Sequence, residues 1–177
     1  MDAMIIIFLI TLDQWTKGLA ERLIPRSGYV TVIPQFFELR VTYNKGAAWS
    51  FLADKPWGII LLCLVSAVIT AFLLNLLRKA TGKRMRLVLI LLIAGSAGNL
   101  IDRLRVGAVT DFFSFTFGDY VFPSFNAADS FITVGTALLI AFILFDRTFV
   151  DGIFALKRRK AASPDHNNGT DELSGDV

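Results

Sequence analysis

Two carboxylates stand where this apolar chain has least use for them. Asp129 opens the apolar run 130–145 in Phe125-Asn126-Ala127-Ala128-Asp129, and Asp111 follows the preceding apolar stretch in Val109-Thr110-Asp111-Phe112. A charge at membrane depth costs about 2.5–3.5 kcal/mol at a helix centre, so such acids are functional candidates by default. Two carboxylates brought together cannot both ionise easily. One keeps a proton, and the pair then serves as base toward a water and as proton donor toward a carbonyl. That is aspartic-peptidase chemistry, which needs neither cofactor nor metal. Each acid also has a plainer reading. Asn126 and Asp129 stand three apart, the spacing of an N-cap and its helix-dipole acid, and Asp111 suits the cap of an interfacial helix. Their placement at one boundary, on successive spans joined by an aromatic loop, favours a pair.

The elements that must hold this pair are membrane spans. The 177 residues are 54% hydrophobic, above the roughly 45–50% of soluble domains, and the mean hydropathy is +0.58. Stretches 57–77, 87–101 and 128–145 read as bilayer spans, which need about 20 mostly apolar residues. Stretch 3–19 is a fourth, carrying Asp13 and Lys17. It lacks the basic start and the small-residue cleavage site of a secretory signal. Lys and Arg set the orientation. Arg78, Lys79, Lys83, Arg84 and Arg86 join the second and third spans, and Lys157-Arg158-Arg159-Lys160 follows the fourth. Both segments are expected in the cytoplasm with both termini, so loops 20–56 and 102–127 face outward. Asp2 is out of character at an inner end, where a basic residue helps retention.

The net charge of +3 is therefore a topology signal and no nucleic-acid footprint. Cys63 is the single cysteine and His166 the single histidine. That excludes an intrachain disulfide, and with the histidine in a polar tail it removes a Ser-His-Asp triad and a histidine-held zinc. Residues 1–160 form one four-helix membrane domain; 161–177 read as a disordered polar cytoplasmic tail. In the first outer loop, 29–33 and 37–43 around Pro34-Gln35 predict a short β-hairpin, with a partly ordered loop as the alternative. Asn44-Lys45-Gly46-Ala47-Ala48 either lets backbone approach a ligand closely or is a glycine turn leading to Trp49, Phe51 and Trp57 at the interface. The second outer loop holds Phe112, Phe113, Phe115, Phe117, Phe122 and Phe125, with a turn at Gly118-Asp119 and a break at Pro123. It is expected to lie as an aromatic interfacial segment roofing the carboxylates.

Gly95, Asn99 and Arg103 recur every four residues and share one helical face. Gly95 and Gly98 permit close helix approach. Asp102 sits beside that face and is accounted for as an interfacial anchor with Arg103. Asn99 is not so easily dismissed, since a buried amide needs partners. Asp13 and Lys17 form an i,i+4 pair that supports the site.

Five motifs occur in order: Asp13-Gln14-x-Thr16-Lys17, Asn44-x-Gly46-Ala47-Ala48, Gly98-Asn99-x-x-Asp102-Arg103, Val109-x-Asp111-Phe112 and Phe125-Asn126-x-Ala128-Asp129. Together they resemble the bacterial lipoprotein signal peptidase (signal peptidase II) family. The resemblance implies a four-span inner-membrane aspartic peptidase, active at the extracytoplasmic face. Such enzymes cut prolipoproteins before a cysteine already carrying diacylglycerol. It implies Asp111 and Asp129 as catalytic dyad, with Asp13, Lys17, Asn44, Asn99, Asp102, Arg103 and Asn126 as supporting polar residues and Gly46, Gly95 and Ala128 as close-approach positions. The expected partners are the lipid-modified precursor and membrane lipids, and the expected state is a monomer. Ala94-Gly95 stands where the family often has Gly-Gly. Two other classes remain: a proton-coupled transporter, which spreads acids through the membrane depth, and a noncatalytic membrane assembly factor using the polar residues as glue.

Overall fold

The computed structural model describes residues 1–25, 28–46, 57–146 and 148–149. Four helices are long and apolar enough to cross a membrane: α1 (Asp2–Leu23), α2 (Gly58–Lys79), α3 (Lys83–Val106) and α4 (Ala127–Phe145). They match the four expected spans, and each helix is longer than the span expected for it, by one residue in α2 and α4 and by more in α1 and α3. Helix α3 is central and packs against α1, α2 and α4. It is the most buried of the four, which suits its many small residues. At one end Ile6, Leu77, Leu89, Ile90 and Ile93 join α1, α2 and α3 in an apolar core. Asp2 pairs with Arg86 and Arg84 with Asp146 at that same end. The misplaced acid at position 2 thus serves as a staple from α1 to α3.

At the other end lies an antiparallel sheet in the order β1 (Val30–Ile33), β2 (Phe37–Asn44), β3 (Val109–Phe117), β4 (Tyr120–Val121). The hairpin expected in the first loop is present. The second loop departs from expectation: its aromatic segment is two strands of that same sheet, joined by a turn at Gly118 (φ 64). The physical reason is visible in Phe113-Ser114-Phe115-Thr116-Phe117, a strict apolar–polar alternation of residues that favour strands. Phe115 stacks on Phe37 with ring centroids 4.6 Å apart, and on Phe125 at 5.8 Å. Asp111 therefore sits on a strand and caps no helix. Residues 47–51, the 157–160 basic run and the tail with His166 lie outside the described residues.

Candidate active site

Strand alternation aims Asp111. Thr110 and Phe112 turn toward α1, where Thr110 Oγ1 donates to Glu21 Oε1 (3.0 Å) and Phe112 packs on Ala20 and Ile24. Asp111, between them, must point the other way. It pairs across the sheet with Thr42, next to a register shift between Leu39 and Thr42. Such irregularities bend a strand and re-aim side chains. Asn44, two residues beyond Thr42, reaches Asp111 Oδ2 with its Nδ2 at 3.4 Å.

Asp129 arrives from α4. Phe125 pairs with Phe113 of β3, donating to its carbonyl (3.1 Å) and accepting from its N–H (2.9 Å). That bridge lays the start of α4 along β3 and brings Asn126 beside Asp111. Asn126 caps the helix: its Oδ1 accepts from Asp129 N–H (2.9 Å), while Asp129 Oδ2 accepts from Asn126 N–H (3.2 Å). The remaining Nδ2 of Asn126 donates to Asp111 Oδ1 at 2.7 Å. The capping reading of Asn126 and Asp129 was thus correct and incomplete. One residue thus holds both carboxylates, Asp111 through its side-chain amide and Asp129 through its backbone N–H.

Beneath them lies a buried ion cluster. Lys17 Nζ stands 2.9 Å from Asp13 Oδ2 and 2.9 Å from Asp102 Oδ2, all three side chains at 0% exposure. The i,i+4 pair is present, and Asp102 completes it. Asp102 is therefore no interfacial anchor for Arg103. It pairs with Lys17 and accepts from Gln14 Nε2 (2.9 Å) and from the backbone N–H of Thr110 (3.1 Å). Asp13 Oδ1 accepts from Ala128 N–H at 2.9 Å. The cluster thereby ties α1 and α3 to β3 and to the first turn of α4.

Lys17 also orients the amides above it. An ammonium only donates, so its 3.2 Å contact to Asn99 takes the amide oxygen. Asn99 Nδ2 is left to donate to Asp129 Oδ1 (2.7 Å), and Asn99 Oδ1 also accepts from Asn126 Nδ2 (3.2 Å). Asn99 thus donates to one carboxylate, and Asn126 donates both to the other carboxylate and to Asn99. Gly95 and Gly98 make room for this arrangement. A Cβ at Gly95 would strike the Ala128 carbonyl and lie 2.6 Å from Ile132 Cγ1; one at Gly98 would lie 2.6 Å from Asp13 Oδ2. Ala94, where Gly-Gly is common, is fully buried without needing that space.

Both aspartates open onto a cavity of about 990 Å³ between α2, α3, α4 and the linker into α4, with an apolar wall including Ile69, Leu73, Leu92 and Ile132. Arg103 and Gly46 line it too; an Arg103 guanidinium nitrogen approaches the Gly46 carbonyl at 3.5 Å, and its Nε has no partner among the described residues. Gly46 donates its N–H to Asn44 Oδ1 (2.9 Å), which fixes that amide's Nδ2 toward Asp111. Asp111 is 3% exposed. Burial, then the charge of nearby Asp129, pushes its pKa up from 3.8 to about 7, against the hydrogen bonds from Asn126 and Asn44 and the charge of Lys17. A carboxyl that holds a proton near neutrality beside a second carboxylate is suited to acid–base work on a bound carbonyl.

These features meet a known pattern. A family model described as signal peptidase (SPase) II matches residues 5–145. The chain belongs to the signal peptidase II family. It is 39% identical over 133 residues to a lipoprotein signal peptidase of Neisseria gonorrhoeae, covering 74% of this chain and 81% of the relative. It is 41% identical over 141 residues to one from Coxiella burnetii, covering 78% and 86%. Two bacterial membrane enzymes solved by the in meso method share the fold. The 2.3 Å structure has TM-score 0.70 at 29% identity over 94% of both chains; the 1.9 Å structure has 0.71 at 33% identity over 82% of this chain and 93% of the other. The family is one of membrane aspartic peptidases, so the chain is a hydrolase, and the transporter and assembly-factor readings give way.

The predicted site residues Asp13, Lys17, Asn44, Asn99, Asp102, Asn126 and Ala128 are joined by hydrogen bonds or ion pairs to one another or to Asp111 and Asp129. Two contributors were missed. Gln14 stands three residues before Lys17 on the same helical face, and that spacing of an amide in an apolar span was the available signal. Thr110 contributes a backbone N–H, which no side-chain pattern reveals.

Proposed function

We propose that this chain is a lipoprotein signal peptidase of the bacterial cytoplasmic (inner) membrane, acting as a monomer, with Asp111 and Asp129 as its catalytic dyad. It cuts diacylglyceryl-modified prolipoproteins before the lipidated cysteine, at the extracytoplasmic face, with both termini in the cytoplasm. The observation that carries this reading is the Asn126 side chain, bonded at once to Asp111 and to the Asp129 backbone at the mouth of the cavity. A dyad needs two carboxylates held close together, and the Asn126 link between β3 and α4 supports that reading.

The cavity supports the substrate class. Its apolar wall between α2 and α4 suits a signal helix and acyl chains arriving through the lipid, and its polar end suits the peptide bond. The basic 78–86 link lies at the end opposite the sheet, consistent with an outward-facing site. The test is cleavage of a diacylglyceryl-modified prolipoprotein in nanodiscs by wild type, Asp111→Asn and Asp129→Asn, with thermal stability measured alongside. Wild type is expected to cut and both folded variants to lose activity by about 10³-fold or more. Retained cleavage in either variant sinks the dyad.

A further inference from the structure

We propose that Asn99 and Asn44 divide the labour of the dyad, making Asp129 the general base and Asp111 the acid that carries the proton in the resting enzyme. This rests on the peptidase reading and adds to it an order of proton transfer.

The two carboxylates are held unequally. Asp129 has a donor on each oxygen: Asn99 Nδ2 at 2.7 Å on Oδ1 and the Asn126 backbone N–H at 3.2 Å on Oδ2. It is the third residue of α4, where the helix dipole favours a negative charge. Lys17, through Asn99, pins the direction of the stronger bond. Among the described residues Asp111 has one short bond, from Asn126 Nδ2 at 2.7 Å on Oδ1, and it lies on a strand, which offers no comparable dipole. Among the described residues its Oδ2 meets only Asn44 Nδ2, at 3.4 Å, longer than an ordinary N–H···O bond. A single proton shared by the pair therefore resides on Asp111 Oδ2. Among the described residues the other charged groups around the pair are Asp13 and Lys17 on α1 and Asp102 and Arg103 on α3, with Glu21 of α1 bound to the neighbouring Thr110. Lys17 is already engaged by Asp13 and Asp102, so it biases the amides more than it neutralises either catalytic group.

The reaction then balances. A water oxygen bonds to the scissile carbonyl carbon and gives a proton to Asp129, while Asp111 gives its proton to the carbonyl oxygen. The resulting gem-diol passes a hydroxyl proton back to Asp111 as the C–N bond breaks. The departing nitrogen takes the proton from Asp129. Acid and amine leave, and the dyad returns to its starting state.

The experiment is the pH profile of kcat/KM for precursor cleavage by wild type, Asn99→Leu and Asn44→Leu. The acidic limb reports the base and the alkaline limb the acid. Asn99→Leu is expected to move the acidic limb up by about one pH unit, since a charge-assisted hydrogen bond is lost. Asn44→Leu moves the alkaline limb up, and by less. Exchanged limbs, limbs moving together, or no movement overturns the assignment. If the variants do not fold, infrared difference spectra of wild type against Asp111→Asn and Asp129→Asn decide it without turnover. The protonated-carboxyl band near pH 6 must vanish in Asp111→Asn and persist in Asp129→Asn. The reverse overturns the proposal. A wild type that never cuts defeats the peptidase reading and leaves the infrared result to judge the proton's position.

Discussion

Asp111 holds its proton far more tightly than an exposed carboxylate, and that has a consequence for stability. Its pKa is raised from 3.8 to about 7, chiefly by burial. Below about pH 4 both folded and unfolded chains carry the proton, and the contribution is fully present. As pH rises the unfolded chain releases it first, so stability is lost progressively until about pH 7, by roughly 4 kcal/mol. The thermal midpoint in detergent is expected to fall across this window in wild type. Asp111→Asn should flatten the dependence, and equal slopes in the two proteins would assign it to another group. Activity should fall above about pH 7 for the same reason.

Helices α3 and α4 approach closely where Gly95 faces the Ala128 carbonyl, and this closeness brings Asn99 within 2.7 Å of Asp129. Gly95→Ala forces the helices apart. Overpacking of this kind costs about 1–3 kcal/mol, but the greater loss is expected in catalysis, where a displacement near 1 Å can cost about a hundredfold. Gly18→Ala is the control, because nothing lies within 4 Å of its added Cβ. It should leave the cleavage rate unchanged and raise stability by roughly 0.5–1 kcal/mol. If Gly95→Ala cuts like wild type, the close approach is packing and does not position the dyad.

The molecule as a whole is organised around a charge cluster, since Lys17, Asp13 and Asp102 connect α1, α3, the start of β3 and the first turn of α4. Lys17→Met leaves two carboxylates facing each other with no cation between them. Removing one partner of a buried ion pair typically costs about 3–5 kcal/mol. It also frees the Asn99 amide to flip, taking its N–H from Asp129. The expected result is a lower thermal midpoint together with loss of cleavage. Asp13→Asn in the Lys17→Met background, which removes one of the two stranded charges, should restore part of the stability and none of the activity. Full activity in Lys17→Met would remove Lys17 from the positioning of the site.

The number and length of the spans were legible in the chain because apolar content over about 20 residues is a local property. So were the hairpin around Pro34-Gln35 and the acids themselves, since a charge in an apolar run stands out wherever the run folds. Asp13 with Lys17, and Asn126 with Asp129, were legible as pairs because helical spacing fixes neighbours three and four residues apart. Asp102 was misassigned because its partner is 85 residues away on another helix, and only the packing of α1 on α3 brings Lys17 to it. The second loop was taken for a roof because nothing local says which sheet a strand joins; pairing with β2 made it a wall carrying Asp111. Residue types and local periodicity thus settled which groups were present and on what kind of element. Long-range packing settled which of them meet, because hydrogen-bond geometry between α3, α4 and β3 exists only after those elements come together.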